Sequence, residues 1–296
     1  MRIGNELLDL ARATGAREIF VVGIGRDVGK TTVLRALYSA AHSRGERIAL
    51  ASIGREGDPG RQGEAWPKPR LWLKPQTLFV SARDSLTRSP AAEIVKLSRL
   101  QSPAGTLIYA RVIAGAFYEL VGAPTASGIR EIAGELGAIS DLVIVDGAVD
   151  RVAALAGSNA AVIVACGAAA AATVDEAADE VAALVTRLAV PALDASAASI
   201  EIEGALTTAQ AAAFVAADER RQIVVGDPTQ IALTGKAGLR ALRRLTIRCR
   251  RPLHVIAATV ASIGPERAFE PRQFARTVAD ATALPTFDVY TGERAA

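Results

Sequence analysis

Apolar residues along the chain gather into short runs: Ile19–Val22, Ile48–Ser52, Leu71–Val80, Leu107–Arg111, Leu142–Val145, Val162–Ala165, Ile200–Ile202, Ile223–Val225, Leu253–Ala257 and Thr286–Val289. Such runs, apolar without alternation, predict strands of a parallel sheet whose two faces are both covered by helices. Between many of them lie stretches with helical spacing. Val33, Leu34, Leu37 and Ala41 repeat on one helical face, and Gly45 supplies a stop signal. Thr173 with Glu176, and Thr207 with Gln210, have the spacing of capping boxes that start two further helices. The expected fold is α/β: a doubly wound, mainly parallel sheet in three αβα layers. We expect a single domain over 1–296, with a core over 15–195 and a C-terminal α/β extension over 196–296 packed on it. Two segments break the rhythm. Residues 54–75 carry Gly54, Gly57, Pro59, Gly60, Gly63, Pro67, Pro69 and Pro75, which predicts a long loop beyond the second strand. Ala168–Ala172 reads as a linker or helix start with little to pack.

Composition refines this picture. Half of the 296 residues are apolar and 4% aromatic, so the core must be built from Ala, Val, Leu and Ile. No apolar run reaches the roughly 18 residues that span a bilayer, and the first ten residues include Glu6 and Asp9 and no secretory pattern. A cytoplasmic protein without membrane contact is expected. Cys166 and Cys249 lie in separate strand-like segments, which suggests buried thiols rather than a metal knuckle or redox pair. His42 and His254 have no partner pattern. The net charge is only +3, but 236–251 holds Lys236, Arg240, Arg243, Arg244, Arg248, Arg250 and Arg251 without an acid. No aromatic residue interleaves with these arginines, so a solvated helix face is favoured over a nucleic-acid surface.

The chemistry concentrates after the first strand, in Gly23-Ile24-Gly25-Arg26-Asp27-Val28-Gly29-Lys30-Thr31-Thr32. A strand that runs into a glycine-rich turn and then Lys-Thr at the start of a helix is the pattern of a phosphate-binding loop. Backbone N–H groups of such a turn, together with the helix N-terminus, converge on phosphate oxygens. Lys30 is expected to place its charge on the β- and γ-phosphates, and Thr31 to offer a hydroxyl to Mg²⁺. The common pattern has four residues between its first glycine and Gly-Lys; here five separate Gly23 from Gly29.

A second constellation is Asp141-Leu-Val-Ile-Val-Asp146-Gly-Ala-Val-Asp150-Arg151. Asp146 ends an apolar strand, which is where P-loop proteins hold a carboxylate for Mg²⁺. Asp150 and Arg151 follow; orienting water and forming a surface ion pair are both open readings. After the second strand, Arg55, Glu56 and Asp58 form either part of the phosphate and Mg²⁺ surroundings or a polar loop. The expected catalytic set is Lys30 with Asp27 and Asp150, with Glu56 a further candidate to position water. The expected metal set is Thr31, Asp146 and Glu56. Arg26 or Arg55 would close over the γ-phosphate and report nucleotide state.

The longer loop, Gly23 to Thr32, resembles that of dethiobiotin synthetases, and Val145-Asp146-Gly147-Ala148 is similar to their Val-Glu-Gly-Ala strand end. That resemblance implies the branch of P-loop proteins that includes the Min and Par ATPases. These synthetases carry a lysine-proline pair after the second strand, where this chain has Gly54-Arg55-Glu56-Gly57. Ser52-Ile-Gly-Arg-Glu-Gly57, Pro67-Lys-Pro-Arg70, Val145-Asp-Gly-Ala-Val-Asp-Arg151 and Pro285-Thr-Phe-Asp-Val289 are similar to the P-loop reactivase subunit encoded with adenosylcobalamin-dependent lysine aminomutases. This second resemblance implies ATP turnover that releases damaged cobalamin from the mutase, with a second ATPase subunit as partner. Dimers that pair two nucleotide sites are common in the class, so a homodimer is expected. No Asn-Lys-x-Asp guanine signature appears, which favours ATP. Two other readings remain at this point: an ATP-dependent ligase or carboxylase acting on a small metabolite, and a nucleotide-dependent regulator that binds nucleic acid through 236–251.

Overall fold

A computed structural model describes residues 2–53, 70–86, 91–147, 149–233 and 235–295. Among them, one sheet of ten strands forms the centre. Its order is Arg294–Ala295, Thr286–Asp288, His254–Ala261, Ala161–Gly167, Glu18–Gly23, Leu142–Asp146, Ile48–Ser52, Leu78–Ala82, Gly105–Val112 and Ala92–Ser102. The strands from Thr286–Asp288 through Leu78–Ala82 pair in parallel. Antiparallel strands close both edges. The expected α/β, mainly parallel sheet is therefore present.

The first strand shows why its sequence is uniformly apolar. Phe20 and Val22 pack into one core with Ile129, Ile132, Val181, Leu184, Phe274 and Val278. Ile19 and Val21 pack into another with Leu7, Leu8, Val33, Leu34 and Leu37. Helices thus cover both faces, as a three-layer arrangement requires: Arg2–Ala13 and Lys30–Ser43 on one side, Ala126–Gly137, Val174–Leu188 and Pro271–Thr282 on the other. Both capping boxes form. Thr173 and Glu176 start the helix Val174–Leu188, and Thr207 and Gln210 start Thr208–Ala216. Each exchanges hydrogen bonds between side chains and the first-turn backbone.

Residues after 254 return to the central sheet beside Ala161–Gly167. What stands apart is a smaller parallel sheet of Ser199–Glu201, Gln222–Val225 and Ile247–Cys249, with its own core of Leu206, Ile223, Val225, Ile231, Leu245 and Ile247. Two expectations need correction. Leu71–Val80 is not one strand: Lys74-Pro75-Gln76 breaks it into Leu71–Leu73 and Leu78–Ala82, with Gln76 at φ 70°. Proline cannot donate to a ladder, which forces the break. Ala168–Ala172 is also not a loose linker, because Ala168 and Ala171 are buried.

The helix Arg2–Ala13 crosses the helix Lys30–Ser43 at Gly4, where a Cβ would collide with the carbonyl oxygen of Ala36. Backbone cannot yield there as a side chain can. Gly4→Ala is expected to destabilise the fold by about 1–3 kcal/mol, read as a lower urea midpoint. Both thiols are free and buried, and burial pushes Cys249 up to about 11. In the native protein neither thiol is expected to react with an aromatic disulfide reagent at neutral pH, whereas two should react after denaturation.

Candidate functional site

The strand Glu18–Gly23 ends at the point where the fold changes direction. The chain passes from Leu142–Asp146 on one side of this strand to Ala161–Gly167 on the other. In open α/β sheets ligands gather outside the carboxyl ends of strands at such a switch point. Beyond Gly23, the Ile24 N–H donates to the Ala165 carbonyl at 3.0 Å. Asp27 (φ 54°) and Gly29 (φ 85°) then turn the chain into the helix Lys30–Ser43, whose first intrahelical bond is Val33 N–H to Gly29 C=O at 3.0 Å. Gly29 brings no capping side chain. The helix N-terminus, with Thr31 and Thr32 in its first turn, faces this edge as a positive dipole end.

Lys30 Nζ donates to the Gly25 carbonyl at 2.5 Å, and a methyl group on Gly23 would lie 2.8 Å from the same nitrogen. The ammonium therefore sits within the turn. Arg26 and Asp27 are exposed at its crest, while Val28 is buried and anchors it. All ten residues from Gly23 to Thr32 fall on this one turn and helix start, as the sequence implies.

The anchoring is close packing at glycines. A Cβ on Gly167 would stand 2.9 Å from Val28 Cα, one on Gly29 would stand 3.1 Å from Ala261 Cβ and 3.2 Å from Val289 Cγ2, and one on Gly25 3.3 Å from Ala170 Cβ. Val289 is held in turn by Asp288. That fully buried carboxylate accepts hydrogen bonds from Ser262 N–H (3.2 Å), Tyr290 N–H (2.9 Å), Thr291 N–H (2.8 Å) and the Thr291 hydroxyl (3.1 Å). Sequence reading missed Gly167 and the bracing role of Asp288. The signals were a glycine ending an apolar run and an aspartate followed two and three residues later by Tyr290 and Thr291 in a turn.

Asp146 ends the strand next to the loop strand, paired in register with Val21 on one side and Ser52 on the other. One of its carboxylate oxygens is withdrawn from solvent. Ile53 N–H donates to the Asp146 carbonyl at 2.8 Å, and Gly147 N–H to Val21 C=O at 2.9 Å, which fixes the strand end against its neighbours. A hydroxyl on Thr31 and a carboxylate on Asp146, both hard oxygen donors at one sheet edge, suit Mg²⁺ held mainly by phosphate and water. Among the described residues no group of three or more His, Cys, Asp or Glu could hold a metal ion by itself. Arg55, Glu56 and Asp58 lie outside the described residues. Asp150 lies in the 3-10 helix Val149–Leu155, and its side chain is outside the described ones.

Cys166, directly before Gly167, is pushed well above the usual thiol range by burial and by the Glu180 carboxylate, so it is a poor nucleophile. His254 pairs with Asn159 at 3.0 Å away from the loop. In the basic segment, Arg250 pairs with Glu201 at 2.7 Å, and Arg240, Arg243 and Arg244 are exposed on the helix Gly235–Arg244. Among the described residues, no helix is long and apolar enough to cross a membrane.

Comparison with protein-family models, with curated proteins and with solved structures gave no match. Gly167→Ala would press a methyl group against Val28 Cα and Ala261 Cβ. We expect a loss of about 1–3 kcal/mol of stability from this overpacking, measured by chemical denaturation, with faster hydrogen exchange at Val28 and Gly29 than at the helix Pro271–Thr282.

Proposed function

We propose that the chain binds a nucleoside triphosphate, ATP before GTP, with Mg²⁺ and hydrolyses it in step with a partner protein. The observation that carries this reading is the parallel register of Val21 with Asp146, which sets a carboxylate beside a lysine-bearing turn at the switch point of the sheet. Turn amides and the N-terminus of the helix Lys30–Ser43 would receive the phosphates. Lys30 would exchange its bond to the Gly25 carbonyl for the β- and γ-oxygens and stabilise charge as the phosphoryl group transfers. Thr31 and Asp146 would hold Mg²⁺, which neutralises charge on the same oxygens when bound. Asp27, exposed at the crest, Asp150 and Glu56 are the candidates for orienting water, and Arg26 would report nucleotide state. The partner suggested by the resemblance is an adenosylcobalamin-dependent aminomutase acting with a second ATPase subunit.

Phosphate release under saturating MgATP tests the mechanism. Lys30→Ala should slow turnover by about 10²–10³-fold, and Asp146→Asn should raise the Mg²⁺ concentration needed for half-maximal rate by about tenfold or more. Wild-type turnover in Lys30→Ala would exclude hydrolysis at this loop. Pull-down from native cells with MgATP should recover a cobalamin-dependent mutase, and recovery of none would remove that partner.

A further inference from the structure

Beside the phosphate turn, with Ile24 as the wall they share, a groove of about 250 Å³ opens between the helices Val174–Leu188 and Gly235–Arg244. Ile24, Leu184, Leu233, Leu239 and Leu242 supply apolar walls, and Glu180 and Arg187 supply the two charges. This volume lies just below the ~300–1,000 Å³ of pockets for drug-sized ligands. The occupant is therefore small.

The charges stand apart. Seven residues along one helix put Glu180 and Arg187 about 10 Å apart in axial rise, too far for an ion pair. The Arg187 guanidinium is half-buried and makes no hydrogen bond or ion pair among the described residues. Its place in the last turn gains from the helix dipole. The dipole does not supply acceptors for five N–H donors, and a desolvated cation without a partner is costly. Burial accordingly pulls its pKa down from the ordinary arginine range. Glu180, by contrast, lies toward the Cys166 end of the groove, where its field raises that thiol.

We infer that this groove binds a small amphipathic oxyanion, with its carboxylate or phosphate head on Arg187 and its apolar body along Leu184, Leu233, Leu239 and Leu242. A guanidinium presents parallel N–H donors that match either head group. Glu180 disfavours a second anion at the far end and so sets the direction of binding. None of these side chains belongs to the phosphate-binding set except Ile24, which the two sites share as a wall.

Isothermal titration of the full chain with octanoate, octyl phosphate, octanol and octylamine tests it. Octanoate or octyl phosphate should bind, and which one binds more tightly identifies the head group. Octanol and octylamine should bind about tenfold or more weakly. Arg187→Gln should lose about tenfold or more in affinity for the anions, and Arg187→Lys, which keeps the charge but not the paired donors, should fall between Arg187→Gln and the native protein. Leu239→Trp should obstruct the groove and abolish binding, which keeps the test decisive if an Arg187 variant fails to fold. Lys30→Ala should leave octanoate affinity unchanged, so loss of nucleotide binding and loss of groove binding are separable. Absence of binding by both anions, or equal affinity in Arg187→Gln, would overturn the inference.

Discussion

The candidate site depends on one steric constraint: the turn after the first strand lies so close to its neighbours that a Cβ added at Gly167, Gly29 or Gly25 would meet them at 2.9–3.3 Å. Gly167 admits the Val28 backbone, and Gly29 admits Ala261 and Val289. Because interiors are close-packed, a contact of this kind transmits position rather than absorbing it. The turn is consequently held from two strands at once, Ala161–Gly167 and His254–Ala261, although these are far apart in sequence. Asp288 completes the brace: its buried carboxylate accepts from Ser262 N–H and from three donors of the following turn, Tyr290 N–H, Thr291 N–H and the Thr291 hydroxyl, which sets Val289 against Gly29.

On that frame the chemistry is sparse. One ammonium lies within the turn, one helix N-terminus faces it, and one carboxylate stands at the adjacent strand end. Such a set is suited to receiving phosphate and a hard cation rather than to nucleophilic catalysis, since burial keeps the neighbouring thiol of Cys166 protonated. The groove that includes Arg187 reaches the same turn through Ile24.

What could be read from the sequence follows the physics of burial. The central strands are covered on both faces, so their apolar runs stood out, and the helix starts at Val174 and Thr208 were signalled by capping boxes. The edge strand Ala92–Ser102 was not legible: it is largely exposed, mixes Glu93, Lys96 and Arg99 with Ile94 and Leu97, and pairs irregularly with Gly105–Val112. Ile247–Cys249 was hidden in the basic segment because Arg248 interrupts it. The turn and Asp146 were legible because their signals are local. Gly167, Asp288 and Arg187 were not, because their roles come from contacts across the fold.

We propose that the turn from Gly23 to Thr32 receives a nucleoside triphosphate. A ligand that binds only the folded state raises its stability by mass action. Thermal unfolding of the full chain with and without millimolar MgATP, with MgGTP and with Mg²⁺ alone as references, tests this most directly. The account predicts a midpoint raised by several degrees with MgATP and unchanged with Mg²⁺ alone. An identical midpoint in all four conditions would contradict it.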